Sequence, residues 1–284
     1  MRISHPIRQM AHEVKRAYGS YRLQSRALRD VGNRLRNRRV LEIGGPSEFF
    51  SRNGVFPMYE LVSHLDLVDF HSKTIWHSGT TTQERQQHIG FSFPEGRVII
   101  DEGSTLESVS PHTYPAIISS HMLEHTANPL EALNSWKSVV IDDGLLILVL
   151  PHRDGTFDHL RPLTSVQHLV DDFESQKGEN DSTHFEEIAN RHDFFRDSGM
   201  SSSADVALRL QDNLGLRSIH HHVFALENAT AMVEASGWAI LHAMTVPRFH
   251  VLIVATVAPT DGTFALDKAK KFSAFPSEHF NATL

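Results

Sequence analysis

Two residue patterns in this chain could do chemistry. The first is the stretch RVLEIGGPSEFF, residues 39–50. An apolar run containing Glu42 leads into Gly44-Gly45, as a strand does when it feeds a turn that brings a ligand close to the backbone. A pyrophosphate site asks for G-x-G-x-x-G at the start of a helix. Here the third glycine is missing and Pro46-Ser47 takes its place, so the turn is not built as a phosphate cradle. The second pattern is histidine. The chain has 20, and eight lie between His152 and His222. They mix with acids in PHRDGTFDHLRPLT (151–164), QHLVDDFESQ (167–176) and RSIHHHVF (217–224).

A histidine titrating near neutrality can take the proton of an attacking hydroxyl. His159 follows a predicted strand and His222 precedes the last predicted helix, so chain order places both toward the mouth of a sheet. They are the candidate bases, with Asp158 to orient or acidify the site. Arg161 is placed to hold an anionic substrate or pair with an acid, and His152 and His220 are candidate substrate contacts. Histidines and carboxylates together also suit a divalent metal. The HHH run does not make a metal site by itself. In extended geometry His220 and His222 face one way and His221 the other. His168, Asp171 and Asp172 share a helix face at i, i+3 and i+4 and read as a solvated or structural cluster rather than as ligands.

The elements that must position these residues alternate. Strands are expected at 39–43, 65–68, 97–100, 116–119 and 145–151. The helix NPLEALNSWKSVVIDDG (128–144) puts Leu130, Leu133, Trp136 and Val140 on one face, with Pro129 near its start and Gly144 past its end. Continuous apolar strands separated by helices imply a parallel sheet covered on both faces. After the helix ALENATAMVEASG (225–237), the strands WAILHAMTV and HVLIVATVA are joined only by Pro247, Arg248 and Phe249. A link that short makes them antiparallel. The expected α/β organisation is a basic helical segment (1–38), a Rossmann-like core (39–151), an inserted substrate region over the carboxyl ends of the strands (152–225), a helix and hairpin completing the core (226–258), and a tail (259–284).

Composition narrows the class. With 284 residues, 40% hydrophobic and 21% charged, the chain fits one large soluble domain or a domain with an insertion. The absence of cysteine excludes disulfides, thiolate metal sites and a cysteine nucleophile, and it is compatible with a reducing cytoplasm. No apolar run approaches the roughly 20 residues of a membrane span. Residues 1–39 hold 11 Lys/Arg against Glu13 and Asp30, a balance of +9 that leaves −16 on the rest of a chain of net charge −7. The basic start has a transit-like composition. It nevertheless runs unbroken into the strand at Val40, and Met10, Val14, Ala17 and Tyr21 recur at helical spacing. A leading helix around 7–36 with a solvated basic face is therefore expected, and the acidic remainder argues against nucleic acid.

The blocks VLEIGGPS (40–47), LDLVDF (65–70), IIDEGSTL (99–106), AIISSHMLEHTANPLEAL (116–133) and DDGLLILVLP (142–151), in this order and ahead of a terminal hairpin, resemble the class I S-adenosylmethionine-dependent methyltransferases. That resemblance implies five parallel strands plus an antiparallel hairpin, with S-adenosylmethionine as cofactor. It places the methionine part against Gly44, Gly45 and Ser47, with Glu42 organising the turn near the ammonium group. Asp69 or Asp66 would take the ribose hydroxyls, Asp101 would lie near the adenine amino group, and Ser120 and His121 would border the methyl donor. The set is also similar to a subgroup associated with surface-polysaccharide gene clusters, which points to a sugar or glycan-linked hydroxyl as acceptor. The competing readings are an NAD-linked reductase on a similar sheet and a non-catalytic binding protein. The missing third glycine and the hairpin count against the first, and the intact EIGG against the second.

Overall fold

A strand with apolar side chains on both faces must be covered on both, and that requirement shapes this architecture. The computed structural model describes residues 26–257 apart from 198, 199, 201, 247 and 248. Strands β1 (Arg39–Ile43), β2 (His64–Asp69), β3 (Val98–Ile100), β4 (Tyr114–Ser120), β5 (Val140–Pro151), β6 (Trp238–Val246) and β7 (His250–Val257) form one sheet in the order β3-β2-β1-β4-β5-β7-β6. The first five run parallel; β7 pairs antiparallel with β5, and β6 with β7. The sequence-based expectation of five parallel strands and a terminal hairpin holds. Strand β7 takes the inner place, because Val251 to Ala255 are buried on both faces, whereas β6 is the edge and is only partly buried.

Side-chain alternation divides the core. Leu146, Leu148 and Leu150 of β5 pack with Leu133, Trp136, Leu169 and Met232 on one face. Leu145, Ile147 and Val149 pack with Leu28, Val31, Leu35, Phe50 and Phe56 on the other. The first face is covered by α3 (Pro129–Val139), α4 (Val166–Glu174) and α8 (Leu226–Ala235), the second in part by α1 (Arg26–Leu35). Asn128 caps α3 by accepting from the Glu131 N–H at 3.2 Å, and Trp136 Nε1 donates to the Gly103 carbonyl at 2.6 Å. Truncating a fully buried Trp of this kind costs about 3–5 kcal/mol.

Several expectations are corrected. Helix α3 stops at Val139, well before Gly144, because Val140 already pairs with Tyr114. Between β1 and β2 there is no α-helix. Short 3₁₀ turns at Glu48–Phe50 and Met58–Glu60 carry Phe49, Phe50, Met58 and Tyr59 into the core instead. Of the expected 7–36 helix, residues 26–36 fall among those described and 26–35 are helical; the earlier part, the 259–284 tail and the Pro247-Arg248 link lie outside them. Helix α2 (Thr82–Ile89) precedes β3. The region from 152 to 225 carries α4, α5 (Phe185–Arg191), α6 (Ser203–Gln211) and α7 (Asn213–Leu216). Its two ends meet at a bridge between His152 and Phe224.

Candidate functional site

The carboxyl ends of β1, β2, β4 and β5 open into a cleft of about 1600 Å³, bordered on the far side by residues of 155–220. The glycine turn forms its floor. Gly44 has φ +73°, and a Cβ there would stand 2.6 Å from Met122 Cγ. A Cβ on Gly45 would stand 2.1 Å from Glu42 Cδ. Both glycines are therefore demanded by the protein's own packing; of the two, Gly44 lines the cleft and Gly45, expected beside the cofactor, does not. Glu42 does not line the cleft. It is fully buried beneath the turn, where its oxygens accept from Ser47 N–H at 3.2 Å and from the Tyr59 hydroxyl at 2.6 Å. Burial pushes Glu42 up to about 8 despite those bonds. Fully buried Arg85 pins the other side of the turn, donating from Nη1 to the Gly45 carbonyl at 3.1 Å and to Asp69 Oδ2 at 2.9 Å.

The two acids left open on β2 part company. Asp69 lines the cleft, and His77 Nδ1 lies 3.0 Å from the same oxygen, Oδ2, that Arg85 holds. Asp66 sits mid-strand and is fully buried. It accepts from Arg97 N–H at 2.8 Å, from Arg97 Nη2 at 3.0 Å and from the Tyr114 hydroxyl at 2.7 Å. Three positions along a strand put the two acids on opposite faces. Asp101 is likewise not a cleft residue; its carboxylate accepts from Ser108 N–H and Oγ at 2.8 and 2.6 Å, and neighbouring Glu102 and Gly103 face the cleft. Ser47, Ser120 and His121 do line it.

At the inner end of the cleft stands a cluster that sequence reasoning passed over. Glu124 and His125 belong to a 3₁₀ turn just after β4, and His220 arrives from the far end of the 152–225 region. His125 Nε2 and His220 Nε2 each lie 3.9 Å from Glu124 Oε1, and the three ligand atoms are mutually within 4.8 Å. The outer nitrogens are tied: His125 Nδ1 to the Ile219 carbonyl at 2.8 Å, His220 Nδ1 to Asp158. Neither oxygen of fully buried Glu124 has a hydrogen-bond partner among the described residues, and burial pushes its carboxyl up to about 7. Burial alone would lower His220, but Asp158 and Glu124 outweigh it and raise it. Burial would raise Asp158, but His220 and Arg161 hold it at about 2. The spacing H-x-x-E-H at 121–125 was the available signal; its partner His220 is far away in the chain.

The other expected residues are elsewhere. His159 does not reach the cleft; its Nε2 lies 2.8 Å from an Asp193 oxygen in the 152–225 region. His222 is buried away from it, Nε2 3.1 Å from the Ala127 carbonyl. Arg161 meets no solvent and so no anionic ligand. It donates to Glu187 at 2.6 Å, to Asp158 at 2.8 Å and to the His220 and His221 carbonyls at 2.8 and 3.1 Å. His152 caps a 3₁₀ turn, its Nδ1 accepting from Asp154 N–H at 3.3 Å. The alternation expected for 220–222 fails because the segment is bent rather than a strand, and His220 and His222 enter different clusters. On α4, His168 joins Asp172, while Asp171 accepts from Gln167.

Residues 10–243 match a family model described as a methyltransferase domain. The chain belongs to that methyltransferase family. No curated protein sequence matches it. Among solved structures, the methyltransferase is similar to the CurJ carbon methyltransferase (13% identity, TM-score 0.43, 79% of this chain and 50% of that one). It is also similar to the trans-methyltransferase CalH in complex with SAH (13%, 0.46, 81% and 54%). A third is the Burkholderia thailandensis 1,6-didemethyltoxoflavin-N1-methyltransferase with bound 1,6-didemethyltoxoflavin and S-adenosylhomocysteine (13%, 0.45, 91% and 93%). The methyltransferase thus spans about half the length of CurJ and CalH. Among its described residues no helix is long and apolar enough to cross a membrane.

Proposed function

We propose that this methyltransferase uses S-adenosylmethionine to methylate a hydroxyl of a small-molecule or glycan-linked acceptor, with His220 as the base. The observation that carries the reading is His220 itself: a cleft residue whose Nδ1 is fixed on buried Asp158 and whose Nε2 points toward Glu124. A carboxylate on one ring nitrogen sets the tautomer that leaves the other free to accept a proton, and it stabilises the imidazolium that results.

The cleft fits the cofactor. Gly44 presents left-handed backbone to it at the end of β1, and Asp69 brings a carboxylate to the end of β2. Both bonds to the Asp69 carboxylate among the described residues use Oδ2, which suits Oδ1 to ribose hydroxyls. Gly44 and Ser47 would hold the methionine part, while Ser120 and His121 would border the reacting end. When bound, S-adenosylmethionine supplies a methyl group activated by a sulfonium. Glu42 acts under the turn, holding the Ser47 N–H and so the shape of the cradle. Toward the mouth, Trp76 is 42% exposed and stands beside His125, with ring centroids 5.2 Å apart. Arg217 there donates to Glu102 and lies 2.7 Å from Glu179. An aromatic face beside paired charges suits a polyhydroxylated acceptor, in keeping with the resemblance to polysaccharide-associated methyltransferases.

One observation favours a second reading of the same atoms. Neither oxygen of Glu124 has a hydrogen-bond partner among the described residues while the outer nitrogens of His125 and His220 are tied down, which is how metal ligands are held. Glu124, His125 and His220 would hold a divalent cation there, and it would polarise the acceptor hydroxyl. Calorimetry with S-adenosylhomocysteine and with NAD tests the cofactor. Binding of NAD without a response to S-adenosylhomocysteine overturns the proposal. Full turnover of metal-free enzyme, confirmed by elemental analysis, eliminates the second reading and leaves His220 as base.

A further inference from the structure

A second histidine–carboxylate cluster lies outside the cleft. It gathers His168 and Asp172 from one face of α4, His184 from the start of α5, and His222 from the segment leading into α8. We infer that these four residues form a closed, tetrahedral zinc site that fastens the 152–225 region to the core.

Geometry carries the inference. His168 Nε2 lies 3.1 Å from His184 Nε2 and 3.2 Å from Asp172 Oδ2, and His222 Nε2 lies 3.9 Å from that same oxygen. Zinc bonds to imidazole nitrogen and carboxylate oxygen of about 2.0–2.1 Å imply ligand–ligand edges of about 3.3–3.4 Å in a tetrahedron. Two edges are already close to that, and all four ligand atoms lie within 4.8 Å of one another. Three imidazoles with one carboxylate and no thiolate are a donor set that zinc accepts.

The polar accounting around the cluster is incomplete without a cation. Asp172 is 4% exposed, and its Oδ2 accepts no hydrogen bond among the described residues. A buried carboxylate left in this state is costly unless a positive charge sits beside it. His222 has the most to change. Its Nε2 meets the Ala127 carbonyl at 3.1 Å, so binding a metal through Nε2 moves the ring proton to Nδ1.

The site would matter because of where its ligands come from. The i, i+4 pair on α4 is local, but His184 and His222 come from two separate segments of the chain. His222 is two residues from His220, so a metal here would also hold the base in register without touching the acceptor.

The test uses the full chain and needs no turnover. Elemental analysis of purified protein should find zinc. Stripping with a chelator should lower the melting temperature, and Zn²⁺ alone should restore it. Co²⁺ titrated into His125→Ala protein, whose cleft cluster is broken, should give the intense visible absorption of a tetrahedral centre with one equivalent. His184→Asn in the same background should lose that absorption while keeping its circular dichroism. If His184→Asn does not fold, zinc content and chelator-dependent melting of the His125→Ala protein decide in its place. Absence of zinc, together with no Zn²⁺ effect on melting up to millimolar concentration, overturns the inference. So does metal that survives His184→Asn and disappears with His125→Ala, since the cation would then sit in the cleft.

Discussion

Two clusters built from the same side chains flank the HHH run, and they are placed for different work. Glu124, His125 and His220 border a cleft, with each imidazole tied behind by a carbonyl or a carboxylate. His168, Asp172, His184 and His222 sit apart from that cleft, with His184 3.1 Å and Asp172 3.2 Å from His168. Composition cannot distinguish them, since both are histidine and acid. Access distinguishes them. A base needs one nitrogen oriented by the protein and the other presented to a ligand, whereas a staple needs every donor atom turned inward. His220 and His222 enter different clusters because the chain bends at 219–222, which points next-but-one neighbours into separate spaces.

The comparison can be broken most directly at His220. His220→Asn should lower kcat by about 10²–10⁴, roughly 3–5 kcal/mol in the barrier, with affinity for S-adenosylhomocysteine nearly unchanged by calorimetry. Near-normal kcat would remove the functional distinction between the clusters.

Glu124 sharpens it through pH. Its folded value of about 7 exceeds the ordinary 4.5 because of burial. The folded chain thus keeps a proton that the unfolded chain releases. This contribution is fully present below about pH 4.5, is lost as pH rises through about 7, and is worth about 3 kcal/mol. Glu124→Gln should flatten that part of the melting-temperature profile between about pH 5 and 8. An unchanged profile would mean that the carboxyl is ionised and compensated by a neighbouring charge or a bound cation.

A smaller effect is expected in the second cluster. His222→Asn should cost about 1–3 kcal/mol through buried partners left unsatisfied. It should appear as a lower melting temperature, with activity falling only as the folded fraction falls. A kcat loss comparable to that of His220→Asn, at unchanged stability, would reverse the assignment of the two histidines.

The smallest effect belongs to His159, whose partner is the partly exposed Asp193. Partly exposed pairs are worth about 0–1 kcal/mol, so His159→Asn should leave kcat within about twofold and barely move the melting point. A large kcat loss would place the acceptor much farther along the 152–225 region than the cleft does.

Local physics was legible in the chain, and assembly was not. The GG turn could be read because glycine best suits φ +73° with Met122 packed against Gly44, and the approach of Glu42 to Gly45, though a ligand explained it before Met122 and Glu42 did. Arg85 and Tyr59, which complete the turn, lie in loop or short-helix segments without a motif and could be found only once the chain closed over them. Asp66 and Asp69 could not be ranked from sequence, because strand alternation says that they face opposite ways but not which face holds the cleft. Five parallel strands and an antiparallel hairpin followed from apolar runs and a three-residue link, since burial on both faces and chain reach are properties of short stretches. Which histidines meet was decided only by tertiary structure. His125 and His220 are 95 positions apart in the sequence, and the segment delivering His220 has neither helical nor strand period. Its direction is set by buried contacts from elsewhere: Arg161 on its carbonyls, Asp158 on its ring, and Asn213 accepting from the Ser218 and Ile219 N–H groups.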